Sequence, residues 1–376
     1  MSIRKMIAVL VFVSAAAFCP VSSGAGQRQD AEALAVLAMS LDSPRVPYEG
    51  EVSVVTRHGD RESVRRLLVT FSPPARYRRE IVDRLGFPVL LIVSDGETEW
   101  VYDRRRGAAW RGEPADPDYK LLDPDEEYAL LVENYVFRLT ESERIAGRLC
   151  RVLEVRSRRE DRVVRRLWVD REHGVVLQRA ALRPDGTESS RISFARIRFP
   201  ERVEDGVFAF HPPPRVRVEP SRLAPDYLDL EEAASATAMR PRLPKWLPPG
   251  YVFESVNLLA HKGATILHYR YSDGIDVLSL FQAPKRARLS FAASVAAEPA
   301  RKVRLRAGTG RVALWPDGKI LEWGADERFV LIGRVGLDAL RRVADSIPER
   351  SALRGDRLTS AAPLEARPLK GAEETR

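Results

Sequence analysis

The sequence predicts a mainly β (α+β) protein in which helices cover part of a curved antiparallel sheet, followed by a smaller β-rich domain. Three observations support this fold class. Apolar and polar residues alternate with period two over most of residues 48–199, as they do on half-buried strands. Glycine-containing turn signals interrupt the alternation about every ten residues. A proline-rich stretch then precedes a second region with the same pattern, which predicts two domains.

The N-terminus predicts export. Arg4 and Lys5 precede an apolar run, Met6–Phe18, which is too short to span a bilayer, and small residues follow it. This pattern is typical of a cleavable secretory signal peptide, with cleavage near Ala25. Attachment of a lipid at Cys19 is disfavoured because the bulky residue Phe18 precedes it.

Composition limits the classes of partner. The chain has 376 residues, of which 44% are hydrophobic and 30% are charged, and its formal net charge is +8. These proportions are sufficient for two cores and too polar for a membrane protein. Basic and acidic residues are interleaved rather than gathered in a stripe, so we predict no nucleic-acid partner. Cys150 is the one cysteine left after removal of the signal, and we expect it to be buried in a strand.

Two helices are predicted within the first domain. Asp30 caps the first, whose apolar face contains Leu34, Leu37 and Leu41. The second begins with Asp123 as its cap and continues in helical spacing to Tyr135. Strands fill most of the remaining sequence, including residues 148–156, 163–170, 175–182 and 191–199.

The second domain follows a proline-rich boundary. Its predicted strands are residues 252–259, 264–271, 277–281, 311–315, 319–323 and 329–333. A final helix carries Leu337, Leu340, Ala344 and Ile347 on one stripe. We therefore divide the chain into a signal peptide (1–25), a first β-rich domain (26–210), a linker (211–244), a second domain (245–348) and a disordered tail (349–376).

No grouping of residues predicts catalysis. The five histidines are isolated, and no third ligand stands at metal spacing near His261 and His268. The chain has neither a Gly-x-Ser-x-Gly motif nor a phosphate-binding glycine loop. We predict no catalytic residue, no metal site and no cofactor, although an enzyme with scattered catalytic groups is left open.

Two sets of motifs, in matching order, resemble one family. The first set is Asn134–Tyr135, Arg144–Arg148, Leu167–Asp170 and Asp185–Gly186. The second set is Trp246–Tyr251, His268–Tyr269 and Tyr271–Gly274 with the strand that ends at Phe281. Together they resemble the MucB/RseB family of periplasmic sigma-E regulators, and the resemblance extends over about residues 48–348.

The resemblance implies a fold and a function. The first domain is expected to be a half-open antiparallel β-barrel with helices in its mouth, like the LolA and LolB lipoprotein carriers. The protein is expected to reside in the periplasm, where it binds the periplasmic part of a single-span anti-sigma factor of the RseA/MucA type and shields it from proteolysis. Lipid, lipopolysaccharide or lipoprotein acyl chains in the barrel are expected to weaken that binding. A homo-oligomeric state is left open.

The implied barrel predicts a hydrophobic, lipid-binding cavity. Eleven side chains are candidates for its lining: Val52, Val54, Leu67, Val69, Phe71, Tyr77, Ile81, Leu91, Val93, Trp100 and Tyr102. Arg65 shares a face with Leu67 and Val69 and is a candidate for contact with a lipid head group. The alternative for each residue is a place in a packed core, with Arg65 at a solvated strand end.

Two functions follow from this cavity. The first is a negative regulator of envelope stress signalling that uses both domains. The alternative is a periplasmic carrier of lipid or lipoprotein. The presence of a second domain favours the regulator, because a carrier needs the barrel alone.

Overall fold

The computed structural model describes residues 24–349 except 42–43, 59–60, 113, 115–123, 221–226, 229, 238, 262–263, 288–299, 316–317 and 325. The predicted signal peptide, apart from its last two residues, lies outside the described residues. So do the predicted helix cap Asp123 and all of the predicted tail except residue 349.

A twelve-stranded sheet organises the first domain within the described residues. Its strands are β1 (Tyr48–His58), β2 (Arg61–Ser72), β3 (Arg76–Val82), β4 (Pro88–Ser94), β5 (Glu99–Asp103), β6 (Ala108–Gly112), β7 (Tyr135–Ile145), β8 (Arg148–Ser157), β9 (Arg162–Asp170), β10 (Val176–Leu182), β11 (Glu188–Arg198) and β12 (Arg217–Pro220). Their order is β12-β6-β5-β4-β3-β2-β1-β11-β10-β9-β8-β7. Neighbouring strands are antiparallel except β12 and β6, which are parallel. Since β12 and β7 form the two edges, the sheet is open, and the predicted fold class is confirmed.

Two helices pack against one face of this sheet. They are α1 (Gly24–Leu41) and α2 (Pro124–Asn134). Val36 and Leu37 of α1 and Leu131 of α2 share a core with Phe137 and Leu153 of β7 and β8. We call the face that carries these helices the concave face. The helices cover it near β7 and β8 and leave the part near β1 to β3 without a helix among the described residues.

Both helices differ in length from the sequence prediction. Helix α1 begins at Gly24 rather than after Asp30, so Asp30 lies inside the helix and does not cap it. Helix α2 ends at Asn134, and Tyr135 already belongs to β7. The alternating residues that follow Tyr135 fit a strand, and they pair with β8.

An eight-stranded antiparallel sheet organises the second domain. Among the described residues its strands are β13 (Tyr227–Leu228), β14 (Val252–His261), β15 (Ala264–Ser272), β16 (Val277–Pro284), β17 (Arg301–Leu305), β18 (Gly308–Trp315), β19 (Gly318–Gly324) and β20 (Glu327–Gly333). Helices α3 (Leu230–Ser235) and α4 (Leu337–Ser346) complete the domain. The predicted stripe of α4 packs here, since Leu340, Ala344 and Ile347 share a core with Tyr269 and Leu331.

The predicted linker, residues 211–244, is divided between the two sheets. Its first part forms β12 beside β6. Its later part forms β13, which pairs with β14, and α3, whose Ala233 lies in the core of the second domain. A proline-rich composition therefore did not prevent this segment from packing.

None of the described helices is long and apolar enough to span a membrane.

Candidate functional site

A cavity of about 1160 Å³ lies between the two domains. Its floor is the concave face of the first sheet, and α1 forms part of its wall. Six residues of the second domain also line it: Glu254, Arg270, Ser272, Gly274, Ile275 and Val277. Small-ligand pockets typically have volumes of about 300–1,000 Å³, so this cavity is larger than most of them.

Six of the predicted lining residues line this cavity. They are Val52, Val54, Leu67, Val69, Phe71 and Tyr77, on β1 to β3. The strand register explains their grouping, because Val52 pairs with Leu67 and Phe71 pairs with Tyr77. Ile81 pairs with Leu67 and therefore lies on the same face, beyond the lining.

The other four predicted residues lie on the opposite face of the sheet. Tyr77 pairs with Ser94, so Val93 and Leu91 of β4 point away from the cavity. Trp100 and Tyr102 pair with Val93 and Leu91 and share that face. There the rings of Trp100 and Tyr102 pack against Phe210, with centroids 5.7 and 5.5 Å from it. The side chains that the sequence analysis placed in one cavity therefore lie on two opposite faces of the first sheet.

The sequence does not contain the information that would have separated these groups. The run Val89–Val93 is apolar at every position, so it has no period-two pattern that assigns a residue to a face. The face is instead decided by the pairing of β4 with β3, which depends on the length of their turn.

Arginines face the cavity along with the apolar side chains. Arg65 pairs with Val54 and lies exposed on the same face, outside the lining. Arg79 lies within the lining, and its guanidinium is 4.7 Å from the centre of the Tyr77 ring. The sequence analysis missed Arg79, although its spacing of two from Tyr77 was a sufficient signal.

A buried hydrogen bond fixes one end of the lining. The Tyr77 hydroxyl donates to the Glu99 carboxylate, which is itself buried. Burial, followed by this hydrogen bond, raises the pKa of Tyr77 well above its ordinary value, so the phenol stays neutral.

The two domains meet at a buried polar junction beside the cavity. The Asn134 side-chain amide donates to the backbone oxygens of Gly250 and Asp273, at 3.1 Å each. The Tyr135 hydroxyl donates to Asp273 Oδ2 at 2.7 Å. Arg159 completes the set by donating to Asn134 Oδ1 at 3.1 Å. We call these contacts, with the ion pair described below, the junction.

Two glycines allow this close approach. Gly250 and Gly274 have positive φ angles of 88° and 95°. A Cβ atom on Gly250 would lie 2.3 Å from Asn134 Oδ1, and one on Gly274 would lie 2.9 Å from a methyl carbon of Leu131. Both residues therefore need glycine for conformation and for space.

An ion pair supports the junction. Arg165 on β9 donates to Asp276 Oδ1 at 3.1 Å and to the Ile275 backbone oxygen at 3.2 Å. Arg334 also approaches Asp276 Oδ1, at 3.4 Å. Burial, followed by the nearby charge of Asp276, raises the pKa of Asp273 above its ordinary value of 3.8. The ionised form of the Asp273 carboxyl group is therefore disfavoured, although the group lies within a set of favourable hydrogen bonds.

Comparison with known proteins gives a match to one family model. Residues 117–216 match the family model of the MucB/RseB N-terminal domain. The resemblance predicted from the sequence is therefore confirmed, and the matched segment extends over α2 and β7 to β11.

Solved MucB structures are similar over both domains. A chain of the Pseudomonas aeruginosa MucA/MucB complex matches with a TM-score of 0.53 and 18% identity, covering 84% of this chain and 98% of that one. A crystal structure of MucB matches with a TM-score of 0.49 and 20% identity, covering 85% of this chain and 98% of that one. At this identity the first match shows a common fold.

A curated relative of unknown function is also similar. An uncharacterised protein of Methanocaldococcus jannaschii is 22% identical over 228 residues, which cover 60% of this chain and 64% of the relative. The match thus spans less than two thirds of that relative's length.

The MucB/RseB-like motifs meet at the junction. Asn134 and Tyr135 come from the first set of motifs, and Gly250, Asp273 and Gly274 come from the second. Gly250, Asp273 and Gly274 lie in turns of the second domain. The sequence analysis missed that these turns dock against the end of α2.

We expect Gly274→Ala to disrupt the junction more than a matched change elsewhere. The new methyl group would contact Leu131, so the free energy of unfolding should fall by about 1–3 kcal/mol more than for Gly186→Ala. Gly186 follows an aspartate in a hairpin, has a φ of 81° and has open space around its Cβ position. Urea unfolding of both variants measures the difference, and equal losses would show that the Leu131 contact does not matter.

Asp273→Asn should change the pH dependence of stability. Because the pKa of Asp273 is raised in the folded protein, the folded state binds more protons than the unfolded state between pH 3.8 and that raised pKa. Its contribution to the free energy of unfolding therefore decreases as pH rises through this window. The stability of the asparagine variant relative to wild type should increase over the same window, as measured by urea unfolding at several pH values.

Asp185→Asn is the control for this measurement. Hydrogen bonds from Thr187 lower the pKa of Asp185, so its stabilising contribution is lost as pH falls below about 4. The relative stability of this variant should therefore change with the opposite sign and at lower pH. A pH profile of Asp273→Asn that matches the profile of the control would contradict the buried-charge interpretation.

Proposed function

We propose that this protein is a periplasmic negative regulator of envelope stress signalling. It binds the periplasmic part of a transmembrane anti-sigma factor and protects that segment from proteolysis. Lipid or lipoprotein acyl chains that enter the cavity relieve the protection. The division into a β-barrel domain (26–210), a linker (211–244) and a second domain (245–348) is part of this proposal.

The observation that carries the proposal is that both domains line one cavity. The apolar side chains of Val52, Leu67 and Val69 offer an acyl chain a surface away from water. Ile275 and Val277 of the second domain line the same space. A ligand in the cavity would therefore contact both domains and favour whichever domain arrangement accommodates it.

The charged lining fits a ligand with a polar end. Arg79 lies on the floor of the cavity next to Tyr77. A guanidinium binds phosphate or carboxylate through paired hydrogen bonds. We propose Arg79 for the head group of a bound lipid, with Arg65 at the exposed edge of the same face.

The family supports an anti-sigma partner. The matched domain family is MucB/RseB, and the similar solved structure is a complex of MucB with MucA. We transfer this type of partner to the present chain as a proposal, and with it the periplasmic location.

A binding role fits the titratable groups better than an enzymatic one. The thiol of Cys150 is fully buried, as expected, and burial raises its pKa to about 11. Burial also lowers the pKa of His268 to about 4. Both groups are therefore neutral at neutral pH, and neither lines the cavity.

The carrier function remains the second candidate because a lipid-sized cavity alone would serve it. The junction favours the regulator, since a carrier gains nothing from a second domain held by buried hydrogen bonds.

Titration with the partner tests the proposal. The purified protein should bind the periplasmic fragment of the anti-sigma factor encoded beside its sigma factor, and a saturating long-chain phospholipid should weaken binding by about tenfold or more. Isothermal titration calorimetry measures both affinities. Absence of binding together with lipid transfer to vesicles would establish the carrier instead.

Filling the cavity should reduce lipid uptake without a large change in the stability of the fold. Val69→Trp places an indole in the cavity and should reduce uptake of a fluorescent fatty acid by about tenfold, with a small change in stability because the space is empty. Leu68→Trp is the control, because Leu68 is adjacent to Val69 on the same strand and is exposed on the opposite face of the sheet. Equal uptake by both variants would place the lipid site elsewhere.

A further inference from the structure

One end of the first sheet displays two large apolar side chains to solvent. Leu85 and Phe87 lie in the turn between β3 and β4, and they are 81% and 65% exposed. They are the most exposed large hydrophobic residues in the described part of the chain. Neither lines the cavity. Their exposure costs solvation free energy that an interaction surface would recover.

The turn that carries them is ordered by its own hydrogen bonds. Asp83 Oδ1 accepts hydrogen bonds from the backbone N–H groups of Leu85 and Phe87, at 2.9 Å each. The Asp83 N–H donates to the Phe87 oxygen at 2.9 Å. Gly86 supplies the positive φ of 90° that the turn requires. The backbone therefore holds both side chains in place at the tip.

A basic hairpin lies beside this tip. The backbone N–H of Arg104 donates to the Val89 oxygen at 3.1 Å, which puts the β5–β6 turn next to the β3–β4 turn. That turn contains the exposed residues Arg104 and Arg105, and Arg84 is exposed in the apolar turn itself. Arg65 adds a fourth exposed guanidinium on β2, close to where β2 passes the turn.

These four arginines are not neutralised by the acidic residues nearby. Within the described residues none of the four has an ion pair. Asp103 instead pairs with Arg106 at 3.4 Å, and Glu62 pairs with Arg57 at 2.9 Å. Asp83 Oδ1 accepts two hydrogen bonds of the turn, and Asp83 and Asp103 together carry two negative charges against the five positive charges of the four arginines and Arg106. The end of the sheet therefore combines an apolar tip with a surplus of positive charge.

We propose that this end, comprising Leu85, Phe87 and the four arginines, docks on an anionic lipid bilayer. The two apolar side chains enter the boundary between head groups and acyl chains, and the guanidinium groups contact lipid phosphates. The shape favours a bilayer over a protein groove, because the apolar side chains project from a convex tip surrounded by cations. This docking goes beyond the proposed function, since it shares only the exposed Arg65 with the lipid site of the cavity and does not use the junction.

Vesicle flotation tests the docking surface. Wild-type protein should bind vesicles containing phosphatidylglycerol, should bind vesicles of phosphatidylcholine alone much more weakly, and should be released by salt. The double variant Leu85→Ser/Phe87→Ser should bind the anionic vesicles about tenfold more weakly, and so should Arg104→Gln/Arg105→Gln. Both pairs are in exposed turns, so the variants should remain folded.

Matched variants in the second domain are the controls. Leu314→Ser removes an apolar side chain that is 41% exposed, and Arg304→Gln/Arg311→Gln removes two exposed cations. These proteins should bind the anionic vesicles as wild type does.

Any of three results with vesicles would overturn the proposal. They are no binding of wild type to anionic vesicles, unchanged binding by the tip variants, and equal losses in the control variants. Loss of binding to the anti-sigma fragment by tip variants that still bind vesicles would also overturn it and would assign the tip to a protein partner. Failure of the regulator proposal would appear separately, as an absence of anti-sigma binding by wild type.

Discussion

The position of the second domain against the end of α2 depends on two glycines, which have no side chain to block the approach. At Gly250 and Gly274 any Cβ atom would collide with Asn134 or Leu131 at the end of α2. Because these two residues are glycine, the Asn134 amide reaches backbone oxygens on two separate turns of the second domain. The Tyr135–Asp273 hydrogen bond then closes the contact. Without this approach the second domain would not form a wall of the cavity.

The cavity itself results from an incompletely covered sheet. Helices α1 and α2 bury the concave face near β7 and β8, where Leu153 is fully buried. Near β1 to β3 the same face lines the cavity with residues such as Val69. One sheet thus serves as packed core at one end and as binding surface at the other. A ligand at the uncovered end of the concave face would lie beside the junction. Its binding would then favour whichever arrangement of the two domains accommodates it.

Local patterns predicted much of the fold and part of the site. Period-two alternation and turn signals located most strands, and the faces of β1 to β3 followed from alternation alone. The uniformly apolar β4 gave no such signal, so Leu91 and Val93 were assigned to the cavity although they face away from it. The start of β7 was taken as helix because Tyr135 also fits helical spacing. The junction joins residues more than a hundred positions apart, which no local pattern encodes.

Photocrosslinking with a long-chain fatty acid that carries a diazirine tests the central claim directly. Mass spectrometry would map the labelled peptides. A lipid in the cavity should label β1 to β3 on the concave face and, in the second domain, the segment Ser272–Val277. Labelling confined to the opposite face around Trp100, or an absence of labelling in the second domain, would contradict a cavity that both domains share.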